Sequence, residues 1–132
     1  MRESALDLED AMVRLLLELG GESLLRRLVV LLIELAPQRL EDLQRALAAG
    51  DLAAARSAVH ALRSTAGTVG ATQLMHGCQR IEEAPDLAAA RALALALESE
   101  WQKLRAGLEP WLAASGDWIE EGSTEAIPNS PG

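Results

Sequence analysis

Apolar positions recur every three or four residues from Leu6 to about Leu112, which is helical spacing. A first short helix is predicted over Asp7 to Leu19, stopped by the Gly20-Gly21 pair. A second runs from about Glu22 to Ala49, with Leu24, Leu28, Leu31 and Leu35, then Leu40, Leu43 and Leu47, turned inward. Pro37 lies inside it and is expected to bend or divide it, because proline lacks an amide hydrogen and crowds the preceding turn. Gly50 ends this helix, and Asp51 suits the N-cap of the third.

The third helix has the cleanest stripe: Leu52, Ala55, Val59, Leu62, Ala66 and Val69, with Gly70 as its stop. The fourth covers roughly Ala71 to Glu83, with Leu74, Cys78 and Ile81 inward, before a break at Pro85 and Asp86. The fifth carries Leu87, Ala90, Ala94, Leu97, Trp101, Leu104, Leu108 and Trp111 on one face, and Pro110 bends its last turn. Short connections between long helices require antiparallel neighbours. The expected fold is therefore all-α, an antiparallel up-down four-helix bundle with an additional short N-terminal helix capping one end. Residues 1–114 form this domain, and residues 115–132, rich in Gly, Ser, Pro and acids, read as a flexible C-terminal tail. Trp118 and Ile119 are placed to pin the start of that tail.

Composition supports the helical pattern. The chain has 132 residues, enough for one core, and 49% are apolar, mostly Leu and Ala, with no Phe or Tyr. The formal net charge of −8 argues against a nucleic-acid surface, which needs clustered Lys and Arg. Charge is nevertheless uneven. Between Asp51 and Glu82 there is no acid, while Arg56, Arg63 and Arg80 are present. Such an island suits a local anion or an acidic partner surface, or it is chance in an Ala-rich stretch. One cysteine, Cys78, excludes an internal disulfide and fits a reducing compartment. No apolar run approaches the roughly 18 residues needed to span a membrane, and no signal peptide is visible, so a cytoplasmic location without direct membrane contact is expected.

Candidate chemistry concentrates on the third helix. His60 neighbours Arg56, Ser57, Arg63, Ser64 and Gly67 on a stripe about 100° around from Val59. The bland interpretation is a solvated histidine on a polar face. Against it, a mid-helix Gly67 costs about 1 kcal/mol relative to Ala, and the short neighbours leave the imidazole clear. Close backbone packing, or fraying towards Gly70, would also account for Gly67.

This pattern resembles the histidine-containing phosphotransfer (HPt) domain of phosphorelays, over about Leu6 to Ala113. The matching positions are His60, Leu62, Arg63, Gly67, Gly70-Ala71, Leu74, Cys78 and Ile81-Glu82. Upstream, Leu35 to Leu40 (L-A-P-Q-R-L) and Ala46 to Asp51 (A-L-A-A-G-D) also look like the family. The resemblance implies two-component signalling, in which His60 accepts a phosphoryl group from a receiver-domain aspartate and passes it to a response-regulator aspartate. Arg63 would stabilise the phosphoryl charge, and Arg56, Ser57, Ser64, Gly67, Gln79 and Glu82 would line the docking surface. It further implies a carrier without turnover of its own, expected to be monomeric in isolation. The parent protein would be a hybrid sensor histidine kinase, cytoplasmic at its C-terminal end, with a free-standing phosphotransfer protein as the alternative. No cofactor is expected on this chain, because the receiver would supply magnesium.

Three departures bear on the chemistry. Arg63 replaces the more usual lysine, keeping the charge and offering a forked donor. Ser64 stands where glycine is common, which slightly reduces docking space. Glu82 stands where some members place a glutamine, and a carboxylate there would repel the phosphoryl group. Glu82 is therefore expected to turn outward or to contact Arg63, with Gln79 as a substitute donor.

Other classes fit less well. A sensor-kinase dimerisation domain typically has an acid directly after its histidine and a proline soon after, whereas here Ala61 follows and the next proline is Pro85. His60, His76 and Cys78 have no zinc-like spacing, so no metal site is expected. A hydrolase built on Ser57 or Ser64 lacks an orienting acid and an oxyanion site. The remaining alternative is a non-catalytic helical interaction bundle with no phosphotransfer role.

Overall fold

The computed structural model describes residues 11–122, with side chains described over 13–114. Four helices follow one another: α1 (Ala11–Ala48), α2 (Leu52–Thr68), α3 (Thr72–Glu82) and α4 (Leu87–Gly122). There is no strand among the described residues. Each helix packs on the next, α1 also packs on α4, and of the two diagonals only α2 and α4 meet, through a few residues. The molecule is thus an all-α bundle with its helices arranged in sequential order.

Turn chemistry sets the lengths of α2 and α3. At the end of α1, Gly50 takes a positive φ of 71°. This lets the amide of Gly50 donate to Leu47 O and that of Asp51 donate to Ala46 O. The pair closes the orphan carbonyls that every helix end leaves. Asp51 then starts α2 at once, its carboxylate accepting from the Ala54 amide at 3.0 Å. The same closure recurs after α2, where Gly70 (φ 77°) donates to Gly67 O and Ala71 donates to Ala66 O. Asp86 caps α4 by accepting from the Ala89 amide at 2.8 Å.

The core is aliphatic and continuous, running from Val13 through Leu43, Val59, Leu62, Leu74, Ile81 and Leu97 to Leu108, with Trp101 its largest side chain. Of the first predicted helix, residues before Ala11 lie outside the described ones. The rest joins the second helix in α1, across a kink where Gly21 leaves helical geometry (φ 67°, ψ −163°).

Three expectations about element details need correction. Between Gly21 and Pro37 the buried stripe is Leu25, Val29, Leu32 and Ala36, one residue on from the predicted one, and Leu31 is 47% exposed. Both stripes are apolar there, so spacing alone could not choose between them. Pro37 does not divide α1, and Pro110, expected to bend the last turn of its helix, lies three turns before the end of α4. Both prolines are exposed, where a carbonyl deprived of its amide partner meets water. Finally, helix continues past Ser115 to Gly122. The side chains of Trp118 and Ile119, and residues 123–132 of the expected tail, lie outside the described residues.

Cys78 is fully buried in this core. Burial pushes its thiol up from 9.0 to about 12, the Glu82 carboxylate adds to the rise, and Arg63 opposes it. The folded protein therefore keeps a proton that the unfolded chain loses first, so stability falls as pH rises from about 9 towards 12. Chemical denaturation across that range should show a steeper alkaline loss in the wild type than in Cys78→Ala. The native thiol should also resist aromatic disulfide reagents until the protein unfolds.

Candidate functional site

Burial of Ala55, Ala58, Val59, Leu62 and Ala66 fixes the rotation of α2 about its axis. His60 consequently stands on the outer flank, with its side chain 65% exposed. Arg63, one turn on, is 36% exposed, and Glu82 at the end of α3 is 21% exposed. These three side chains form one cluster. Arg63 Nε donates to Glu82 Oε2 at 2.7 Å. His60 Nδ1 lies 3.4 Å from Glu82 Oε1 and 3.4 Å from Arg63 Nη2. Nδ1 cannot serve both contacts at once, because one requires a ring N–H and the other a ring lone pair. Either way the neighbours engage Nδ1, and no group among the described residues hydrogen-bonds Nε2.

Glu82 thus contacts Arg63, one of its two expected courses, and it does not turn outward. Its half-buried position follows from α3, whose Leu74, Gly77, Cys78 and Ile81 face the core and leave Glu82 on the side next to α2. Gln79, by contrast, does not join the cluster. It is exposed, and its Nε2 donates to Glu83 Oε2 at 3.2 Å, an i,i+4 pair along the outside of α3.

The other sequence candidates divide between open surface and framework. Ser57 and Ser64 are exposed on the same stripe as His60. Arg56 is drawn into the framework, since its Nη2 donates to Ala84 O at 2.7 Å and ties α2 to the α3–α4 turn. Gly67 also proves structural. A Cβ there would lie 3.0 Å from Met75 Sδ, so its missing side chain admits Met75 of α3 across α2. Met75 escaped sequence reasoning, although its spacing of four and seven residues from Gln79 and Glu82 puts all three on adjoining rows of α3. Arg80 is exposed near the end of α3, continuing the basic island.

His76 is exposed and Cys78 is buried, and among the described residues no group of three or more His, Cys, Asp or Glu is placed to hold a metal ion. The arrangement at His60 is instead an exposed imidazole with one cation and one anion beside Nδ1. No helix among the described residues is long and apolar enough to cross a membrane.

The model of the Hpt domain family matches residues 27–107, which takes in α2, α3 and the greater part of α1 and α4. The chain belongs to the Hpt domain family. Membership assigns it to the phosphorelays of two-component signalling, in which Hpt domains interact with response-regulator receiver domains. Searches of curated proteins and of solved structures returned no match.

Because Arg56 spends its guanidinium on Ala84 O, its removal should register first as lost stability. Arg56→Ala is expected to lower the unfolding free energy by roughly 1–2 kcal/mol, the range for a hydrogen bond from a charged donor that remains partly solvated. Urea denaturation of the purified domain measures this, and an unchanged midpoint would refute the tethering role.

Proposed function

We propose that His60 is the phosphoryl-accepting residue of this Hpt domain, taking the group from a receiver aspartate and returning it to the aspartate of a second receiver. The observation that supports this most is the exposed ring whose Nδ1 is engaged from behind while Nε2 has no partner among the described residues. A nucleophile in this role needs an open approach on one side and a fixed orientation on the other.

In the loading step the Nε2 lone pair attacks phosphorus in line with the aspartyl oxygen. The P–N bond forms as the P–O bond breaks, and the bonding pair leaves with the receiver carboxylate. Unloading reverses this on a second aspartate. Transfers of this kind depend on positioning and charge neutralisation more than on acid–base chemistry. Arg63 serves neutralisation: its Nε is held by Glu82, leaving the forked end of the guanidinium within reach of a group on His60. The receiver would bring magnesium, and the chain's own contribution is the oriented ring and the cation beside it. Ser57 and Ser64 on the open stripe around His60 would meet the docked receiver. The chain then acts as a carrier, in the cytoplasm, as part of a hybrid sensor kinase or as a free-standing protein.

His60→Gln should abolish labelling by a phosphorylated receiver while leaving the helical circular dichroism spectrum unchanged. The label on the wild type should be labile in acid and stable in base, as a phosphoramidate is. Persistent labelling of the His60 variant would refute the assignment and favour a bundle that only binds. Arg63→Ala should slow transfer about tenfold, the effect of losing a charge-assisted contact to the phosphoryl group. Rapid-quench measurement against the same receiver tests it, and an unchanged rate would remove Arg63 from the charge role.

A further inference from the structure

We propose that α1 carries a second interaction surface, along Leu24, Leu28, Leu31 and Leu35, on which a second copy of this chain docks in antiparallel orientation. The surface exists because the helices differ in length. Along its path α1, with 38 residues, runs about 57 Å, whereas α2, with 17, runs about 26 Å. Because α2 turns back at the C-terminal end of α1, it accompanies α1 only to about residue 32, and α3, with 11 residues, is shorter still. Upstream of that point α4 is the neighbour of α1, and Arg26 Nη2 donates to Leu112 O at 2.8 Å. Arg26 marks the side of α1 that faces α4. The four leucines stand about 140–200° around the helix from it, on the side that α4 does not cover.

These leucines form a second stripe beside the buried one of Leu25, Val29, Leu32 and Ala36. Leu31 is 47% exposed, and Leu24, Leu28 and Leu35 are half-buried. They recur at intervals of four, three and four residues, the spacing of a coiled-coil seam. Charge along one edge of the seam identifies the occupant. Arg27 and Glu34 are both exposed there, and neither enters an ion pair among the described residues. Two turns separate them, about 10 Å of rise, which is too far for them to pair with each other. An antiparallel approach about a two-fold axis sets Leu28 against Leu31 of the second copy, and Leu24 against its Leu35. The same register brings Arg27 to Glu34 of the second copy and Glu34 to its Arg27, the reciprocity that an isologous interface requires. A parallel approach would instead put like charges level with one another. The chain as a whole carries −8, which opposes association, but this edge is balanced and complementary to itself. The pairing departs from the monomer expected from the sequence, and it does not depend on the phosphotransfer assignment of His60.

Sedimentation equilibrium of the full chain, from micromolar to submillimolar concentration, tests the proposal. The wild type should show a reversible monomer–dimer equilibrium. Leu31→Glu should raise the dissociation constant about a hundredfold, since it places an unpaired charge in the seam twice per dimer. Its helical circular dichroism should be unchanged, because Leu31 contributes little to the monomer core. Arg27→Glu and Glu34→Arg should each weaken the dimer about tenfold by setting like charges together at two symmetry-related places. The double variant, with both charges exchanged, should recover the wild-type dissociation constant, and these exposed substitutions decide the matter even if Leu31→Glu disturbs folding. A wild type that stays monomeric throughout would overturn the proposal. So would a dimer indifferent to Leu31→Glu in a folded chain, or single charge reversals that the double exchange does not rescue.

Discussion

The rotation of α2 about its own axis is the constraint on which the site depends, and the apolar core sets it. Val59 and Leu62 are both fully buried and flank His60 in sequence. Turning the helix to bury the imidazole would expose them, at roughly 1.5–3 kcal/mol for each side chain. The Arg63–Glu82 ion pair, partly open to solvent, is worth about 0–1 kcal/mol by comparison. Core packing therefore holds His60 outward, and the ion pair arranges charge around a ring already presented. Stability and function are separated along one helix, one stripe serving each.

The helix ends carry this arrangement into three dimensions. Positive-φ glycines at Gly50 and Gly70 close α1 and α2 within a few residues, so α2 and α3 return beside their predecessors without long loops. Two contacts then bring α3 close. Gly67 makes room for Met75, and Gly77 makes room for Leu97, whose Cδ1 would lie 2.8 Å from a Cβ at that position. Arginines reach from one element to the carbonyls of another, Arg56 to Ala84 and Arg91 to Leu47 at 2.8 Å. With α3 fixed in this way, Glu82 is carried to the flank of α2 and meets His60 and Arg63, residues about twenty positions away in sequence.

How far the sequence could be read depended on how unevenly its apolar residues are spread. In α2 the small and polar residues between Ala55, Val59, Leu62 and Ala66 leave a single apolar stripe, so the buried face and the outward position of His60 followed from spacing. In α1, leucines and valines surround the helix between Leu24 and Ala36, so the burial of Leu25 and Val29 over Leu24 and Leu28 was invisible to periodicity. Gly67 is costly within a helix, and the reason for it lies with Met75 on a different helix. Gln79 and Glu82 were both candidates near His60. Their three-residue separation on α3 puts one on the cluster and leaves the other pairing with Glu83 outside it.

Local physical chemistry in the chain itself, then, determined the helices, the caps at Asp51 and Asp86, the glycine stops and the stripe that carries His60 and Arg63. Each of these is set within one or two helical turns, by backbone propensity, capping geometry and amphipathic spacing. Only the tertiary structure decided the buried face of α1, the commitment of Arg56 to a distant carbonyl and the meeting of Glu82 with the histidine. Those outcomes depend on which helix lies alongside which, and at what depth, and so on packing between segments remote in sequence.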